Sequence, residues 1–341
     1  MNIFITGING FIGSNLARIL TEKGQAVSGS IRRMESSGQL KHLNLRLLCG
    51  DILDQEFLEA SLQNQDIVYH IAALVSDWGH ASQFLAINVE GSKNVARAAL
   101  SNRVKRLVYI SSTAVYGLSG FRDATEAKRY NCDGNHYAES KKLAESWLNE
   151  FCRQNSLPLT IIQPANVFGP HDLRFFFQFS QALETGFLPY IRQGVALTCP
   201  SYVENLAEAL WLAGTHPHAN RETFIVSDGL EINWRQFIEK ICCHLDIKPP
   251  GRSVSNSFAQ RLASVFELVY KIFKIPTAPP VTRYRIRNFG LDYHFSIAKI
   301  KTMLGYSPVI SIDEAIQRTV LWYRQYLKEK SHVHQTGRSK I

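Results

Sequence analysis

Along roughly the first half of the chain, short apolar runs alternate with stretches in which apolar positions recur at the helical period. Asn2 to Thr6 is predicted as a buried strand and Ser14 to Lys23 as a helix. Ala26 to Ile31, Leu45 to Leu48, Ile67 to Ile71, Arg106 to Ile110 and Leu159 to Gln163 are predicted as further strands. Ala86 to Ser101 and Tyr137 to Asn155 are the longest predicted helices between them. Such alternation implies a doubly wound α/β fold, a parallel sheet covered by helices on both faces. After Pro164 the pattern breaks. As far as Pro200 the chain reads as loop-rich and aromatic, then Tyr202 to Gly214 as a helix and Thr223 to Val226 as a strand. Beyond Trp234 it is mostly helical, interrupted at Pro249-Pro250 and Pro279-Pro280, and no internal repeat is visible. The expected division is a sheet domain of residues 1–165 plus about 202–230, and a smaller, mostly helical substrate domain of 166–201 plus 231–327. A basic tail at 328–341 is expected to be disordered.

With 341 residues, 45% hydrophobic and 20% charged, the composition is that of an ordinary globular protein and excludes collagen-like or disordered classes. No apolar run reaches the roughly 18 residues needed to cross a bilayer. No signal peptide is visible before the first strand, and the six cysteines lack metal-ligand spacing, so no metal is expected and a reducing, cytoplasmic setting is. The formal charge of +9 is concentrated. Between Leu268 and Met303 seven Lys or Arg face one Asp, and the tail adds four against one. No module interleaves basic and aromatic residues for recognition, so nucleic acid is not an expected partner.

The first strand runs into Thr6-Gly7-Ile8-Asn9-Gly10-Phe11-Ile12-Gly13, a GxxGxxG turn that opens a helix. Gly7 and Gly10 permit a tight turn and close backbone approach to a pyrophosphate. Gly13 allows close helix–strand packing, and the helix N-terminus favours the negative charge. In this strand–turn–helix context the motif points to a dinucleotide on a Rossmann-type sheet. An NAD site normally presents an acid after the second strand, but here Ile31-Arg32-Arg33 stands in its place. Arg32 and Arg33 could grip a 2′-phosphate, which makes NADP the expected cofactor and NAD the second choice. The bland alternative is two exposed loop arginines.

Two further signals carry chemistry. Ser111-Ser112-Thr113 comes directly after a predicted strand, where ligand sites lie in open α/β sheets, and Tyr137-Ala138-Glu139-Ser140-Lys141 sets a phenol and an ammonium one helical turn apart. A nearby ammonium lowers a phenol's pKa, and a hydroxyl such as Ser112 can hold the oxygen that the phenol protonates. With these residues the chain resembles the extended short-chain dehydrogenase/reductase superfamily, the NAD-dependent epimerase/dehydratase family, over nearly its whole length. The matching stretches are Thr6 to Gly13, Gly50-Asp51, His70 to Ala73, Asn88 to Gly91 with Asn94, Ser111 to Gly117, Tyr137 to Lys141 and Pro164 to Pro170. The resemblance implies that Ser112, Tyr137 and Lys141 form a catalytic triad. It also implies that Asp51 and Ile52 border the adenine, that Ala72, Ala73 and Asn88 line the cofactor path, and that Pro164, Asn166 and Val167 meet the nicotinamide. A helix N-cap is the bland reading of Asp51, and a satisfied core histidine is the favoured one for His70. Gln163 departs from the family pattern, where Arg commonly precedes the Pro.

The residues after Ser112 narrow the branch. Thr113-Ala114 offers no acid/base pair for eliminating water, against a sugar dehydratase, and the missing acid at Ile31-Arg32 demotes a nucleotide-sugar epimerase with tightly bound NAD. The stretch from Pro279 through Leu291-Asp292-Tyr293 to Pro308 is similar to the 3β-hydroxysteroid dehydrogenase/isomerase-like branch, which also includes reductases of long-chain 3-keto acids. The expectation is an oxidoreductase that interconverts a secondary alcohol and a ketone on a small lipophilic substrate. A dinucleotide-sensing regulator is the non-enzymatic rival. A homodimer through the helices near Ala86–Ser101 and Tyr137–Asn155 is implied by resemblance alone. Finally, Phe258, Leu262, Val265, Phe266, Val269, Ile272 and Phe273 form one apolar stripe at helical spacing, with Arg283, Arg285 and Arg287 beyond it. Two readings stay open for residues 257–287: a core helix with solvated basic neighbours, or peripheral contact with an anionic membrane.

Overall fold

The computed structural model describes residues 1–34, 38 and 40–338, of which 331–338 are described by their backbone alone. Seven strands form the central sheet: β1 (Asn2–Thr6), β2 (Ala26–Ile31), β3 (Arg46–Cys49), β4 (Ile67–His70), β5 (Arg106–Ile110), β6 (Leu159–Pro164) and β7 (Glu222–Val226). They lie in the order β3-β2-β1-β4-β5-β6-β7, and every neighbouring pair is parallel. This is the Rossmann arrangement. The strand order reverses between β1 and β4, and the crevice at their carboxyl ends is where such sheets bind ligands.

Period-two alternation explains why both faces are covered. In β1, Ile3 and Ile5 enter one core while Phe4 enters the other, and in β5 Val108 and Ile110 oppose Leu107 and Tyr109 in the same way. Helices Phe11–Glu22 and Val203–Thr215 close the first face with Leu16, Leu206 and Leu210. Helices Gly91–Ser101 and His136–Gln154 close the second with Val95, Ala99, Ala144 and Leu148. A separate core unites Phe168, Phe176, Trp234, Ile238, Ile316 and Tyr323. The aromatic run at 175–179 therefore packs inside the C-terminal lobe, whereas Phe187 is 87% exposed and lines nothing internal.

Two local expectations are corrected. The segment read as loop-rich contains the helix Phe176–Glu184, whose start is held by the Asp172 carboxylate accepting from the backbone N–H groups of Arg174, Phe175 and Phe176. The helix expected from Ala86 begins at Ala81 and passes through a π-helical turn, Leu85–Glu90, before Gly91–Ser101. Helix Ile312–Arg338 runs into the tail segment 328–341, of which residues 339–341 lie outside those described.

The crevice is held open by a chain of buried hydrogen bonds. Thr6 Oγ1 accepts from the N–H groups of Ile71 and Ala72, both at 3.1 Å, so its own proton goes to His70 Nδ1 at 2.8 Å. Ser92 Oγ donates to the Asn88 carbonyl at 2.6 Å and therefore accepts from His70 Nε2 at 2.9 Å. The tautomer of His70 is set by its partners, and burial pushes its pKa down to about 3, so the ring stays neutral. His70 is the satisfied core histidine the sequence favoured. Replacing Thr6 by the isosteric Val strands two N–H groups and His70 Nδ1. Thr6→Val is expected to destabilise the protein by about 2–4 kcal/mol, read as a lower denaturant midpoint at unchanged slope; an unchanged midpoint would show that the chain holds nothing.

Candidate active site

Every residue singled out from the sequence for cofactor or catalysis falls at the carboxyl edge of the sheet or on the helices beside it. The glycine turn joins β1 to helix Phe11–Glu22. Gly7 has φ +67°, and a Cβ there would come within 3.0 Å of the Ala72 backbone. A Cβ on Gly13 would lie 2.3 Å from the Gly7 carbonyl oxygen, so only glycine lets the helix seat on the turn. Gly10 is the N-cap and supplies no side-chain cap, which leaves the N–H groups of Phe11 and Ile12 facing outward for an anion. Asn9 is half-buried within this turn. A dinucleotide pyrophosphate fits this cradle, because the glycines let the turn close tightly on itself and on Ala72 and so bring the N-terminus of the helix to the strand end.

Arg32 and Arg33 come after β2 and are exposed, beside the glycine turn that Ile8 ties to β2 through its bond to Ser30 O. Asp51 comes after β3 and accepts from Leu53 N at 3.0 Å; Asp54, and not Asp51, caps the next helix. Ile52 is buried in the sheet's second core. Ala72 and Ala73 lie half-buried after β4. Asn88 does not face a ligand with a free amide. Its Oδ1 accepts from Leu74 N at 2.7 Å, and its Nδ2 donates to Leu74 O and to Ser140 Oγ at 3.0 and 2.9 Å. Ser140 in turn donates to the Tyr137 carbonyl at 2.7 Å, so Asn88 ties the cofactor-side loop to the helix that carries Tyr137. On the far side, Pro164 ends β6, Asn166 binds Thr198 Oγ1 at 3.1 Å, and Val167 packs between the two lobes' cores. Asn15 draws this stretch to the glycine turn by donating to both Phe11 O and Pro170 O.

Ser112 caps the short 3-10 turn after β5, and Tyr137 and Lys141 share one face of helix His136–Gln154, itself capped by Asn135. Burial pushes the Tyr137 phenol up to about 12, while its hydrogen bond with Ser112 and the guanidinium of Arg174 pull it down. Lys141, expected to act on this phenol, is not among these influences in the present arrangement. Its Nζ instead donates to Ile110 O at 2.7 Å and lies 4.7 Å from the Tyr109 ring centroid. A buried ammonium seeks the nearest strong acceptor, and the strand-end carbonyl is closer at hand than a neutral phenol. Burial pushes Lys141 down to about 7, opposed by Glu145 one turn further along the helix.

Glu145 was not anticipated, although its i+4 spacing from Lys141 on a helix was a usable signal. It is 1% exposed, and burial raises its pKa against bonds from Tyr130 and Gln163. Tyr130 Oη donates to Oε2 at 2.5 Å and Gln163 Nε2 to both oxygens at 3.0 and 3.1 Å, while Gln163 Oε1 takes the Tyr116 hydroxyl at 2.7 Å. Gln163 is thus a buried junction under the helix that carries Tyr137. Arg174, which donates to Val75 O, and the half-buried Tyr284, whose phenol feels the charge of Tyr137, also border the site. Nothing in their sequence context marked them.

Residues 3–227 match the family model described as "NAD dependent epimerase/dehydratase family". Among curated relatives, a 2-alkyl-3-oxoalkanoate reductase of Shewanella oneidensis is 25% identical, covering 92% of this chain and 84% of that protein. A 3 beta-hydroxysteroid dehydrogenase/Delta 5-->4-isomerase of Mycobacterium tuberculosis is 26% identical, covering 94% and 90%. Among solved structures, that of gox2253 aligns with a TM-score of 0.80 at 29% identity, covering 95% of this chain and 98% of that one. With its crevice, glycine cradle and phenol-bearing helix, the chain belongs to the NAD dependent epimerase/dehydratase family and is an NAD(P)-dependent oxidoreductase acting on CH–OH groups.

Proposed function

We propose that the protein interconverts a secondary alcohol and a ketone on a lipophilic substrate of the 3β-hydroxysteroid or long-chain 3-keto acid type, with NADP as cofactor. The observation that carries this reading is the placing of the half-buried Tyr137, one turn before Lys141 on helix His136–Gln154, beside Ser112 at the carboxyl end of β5. The names of the two relatives support the substrate class.

A nicotinamide cofactor, when bound in the crevice, would supply or accept the hydride at the substrate carbon. In the reducing direction Ser112 holds the carbonyl oxygen, and Tyr137 gives its proton to that oxygen as the C=O bond becomes C–OH. Oxidation reverses the transfer. A phenol held near 12 keeps its proton at neutral pH, which suits it to donate. Gly7, Gly10 and the first turn at Phe11 to Gly13 hold the pyrophosphate, and Arg32 and Arg33 hold the 2′-phosphate. Lys141, freed from Ile110 O, holds the nicotinamide ribose and brings positive charge toward Tyr137. Glu145 acts through Lys141 by keeping the ammonium protonated in a site that burial drives toward neutrality.

Tyr137→Phe is expected to lower turnover roughly 10²–10⁴-fold with NADPH binding near normal, assayed with 3-ketosteroids, long-chain 3-oxo acids and UDP-sugars. Undiminished turnover would remove Tyr137 from the mechanism, and epimerisation of a UDP-sugar without added cofactor would replace the reading. The double variant Arg32→Ala, Arg33→Ala should raise the KM for NADPH roughly ten- to hundredfold and that for NADH little; equal effects, or a wild-type preference for NADH, would overturn the choice of cofactor. For Glu145→Gln the sign is fixed by charge. Without the carboxylate the ammonium is less stable, its pKa falls, and the charged form is lost at lower pH. The descending limb of kcat/KM against pH should move about one unit toward acid, with activity recovered near pH 6; an unmoved limb would make Glu145 a purely structural residue.

A further inference from the structure

The helix Asn256–Ile272 is amphipathic the wrong way round for a helix facing water. Its inner face is built from Ala259 and Ala263, which pack on Ile286, and from Glu267, which is 9% exposed. The Glu267 carboxylate accepts from Arg283 N and Arg283 Nε, both at 2.7 Å, and fixes which face points in. Its outer face presents Phe258, Leu262, Val265, Val269 and Ile272, continued by Phe273. These are 39–71% exposed, so the core-helix reading of the stripe is overturned. At 100° per residue the first five fall within about 80° of arc, a continuous ridge along the helix. Scattered exposed apolar residues need no explanation, but a contiguous row of large ones marks a contact surface.

The charges around the ridge say what covers it. Arg283, Arg285 and Arg287, expected to join the basic surface, are paired with Glu267, Asp77 and Asp133. Arg252, Arg261 and Lys274 are exposed and make no ion pair among the described residues, while exposed Lys271 lies over the Trp78 ring. Between Lys248 and Leu291 the only acid is Glu267, and Arg283 neutralises it. A row of large apolar side chains flanked by uncancelled cations matches a surface with an apolar interior and anionic headgroups. A second copy of this chain fits worse, because a two-fold contact through the ridge would bring these cations against their own kind. No helix among the described residues is long and apolar enough to cross a membrane, so the contact is superficial.

We propose that the outer face of helix Asn256–Ile272 rests on an anionic lipid membrane surface, the ridge from Phe258 to Phe273 entering the headgroup layer and Arg261 and Lys274 meeting the lipid phosphates. This surface adjoins the catalytic crevice. Tyr270 meets Trp78 edge-on at 6.5 Å, and Asp77 binds Thr282 Oγ1 at 2.7 Å and Arg285 Nε at 2.8 Å. Trp78 and Asp77 belong to the loop that Asn88 clamps at Leu74 beside the Tyr137 helix. The inference does not depend on the identity of the substrate.

Flotation of the full-length protein tests it, with vesicles of phosphatidylcholine alone and with phosphatidylglycerol added. The wild type should float with the anionic vesicles, less in high salt, and little with the neutral ones. The triple variant Val265→Ser, Ile272→Ser, Phe273→Ser alters only exposed side chains, and its NADPH binding checks that it is folded; its partition coefficient should fall at least roughly tenfold. Arg261→Glu with Lys274→Glu should lose the preference for anionic lipid. Failure of the wild type to float with anionic vesicles at low salt, or equal flotation of the triple variant, would overturn the proposal. So would a lipid-free dimer seen by sedimentation that the triple variant abolishes while wild-type vesicle binding is absent, which would assign the face to a second copy.

Discussion

The arrangement depends on one buried hydrogen-bonded chain that starts at Thr6 and ends at Tyr137. Thr6 closes β1, His70 closes β4, and the two strands flank the point where the sheet order reverses. From His70 the chain passes to Ser92 and the Asn88 carbonyl, and the Asn88 amide continues it through Ser140 to the Tyr137 backbone. Each donor and acceptor has one consistent role, so the chain admits one arrangement, and in a dry interior an unmade bond is expensive. The glycine turn and the helix that carries Tyr137, far apart in sequence, are thereby held in register by bonds rather than by shape alone. The π-helical turn at Leu85–Glu90 belongs to this device. It sets Asn88 to reach both Leu74 and Ser140.

A second constraint is electrostatic. Lys141 and Glu145 are both nearly inaccessible to water, and each is driven toward its neutral form by burial while the other favours its charge. Such a pair is costly unless its remaining valences are filled. Here they are filled by neutral groups: Ile110 O on the ammonium, Tyr130 and Gln163 on the carboxylate. Because the neutral Gln163 packs against Glu145, Lys141 is left as the cationic influence on that carboxyl, and the protonation of the lysine becomes sensitive to its one counter-charge.

The C-terminal lobe packs aromatic on aromatic, with Trp234 against Phe179 and Phe289 at centroid distances of 6.3 and 4.2 Å. That core consumes most of the phenylalanines between 175 and 179, so the environment of Tyr137 is completed from elsewhere: Arg174 from the preceding turn, and Tyr284 and Tyr293 from the segment that returns near the C-terminus. Tyr293 donates to Thr113 Oγ1 at 2.8 Å, and Thr113 donates to Pro164 O at 3.1 Å, which locks that returning segment to the ends of β5 and β6.

The sequence by itself determined the parallel sheet, the glycine turn that opens the first helix, and the helix on which Tyr137 and Lys141 share a face. Each of these is written locally: alternating apolar residues in a strand, glycines where a Cβ would strike backbone, a phenol and an amine one helical turn apart. What it could not determine was where long side chains point. Lys141 turns to Ile110 O, Glu145 and Gln163 meet beneath the helix, and Arg174 reaches Tyr137 only because distant segments are folded together. The apolar stripe from Phe258 to Phe273 makes the same point in reverse. Its helical period was legible, but periodicity reports that one face is apolar and not which way that face is turned. Only the ion pair of Glu267 with Arg283 and the packing of Ala259 and Ala263 turned the small residues inward and the large ones out.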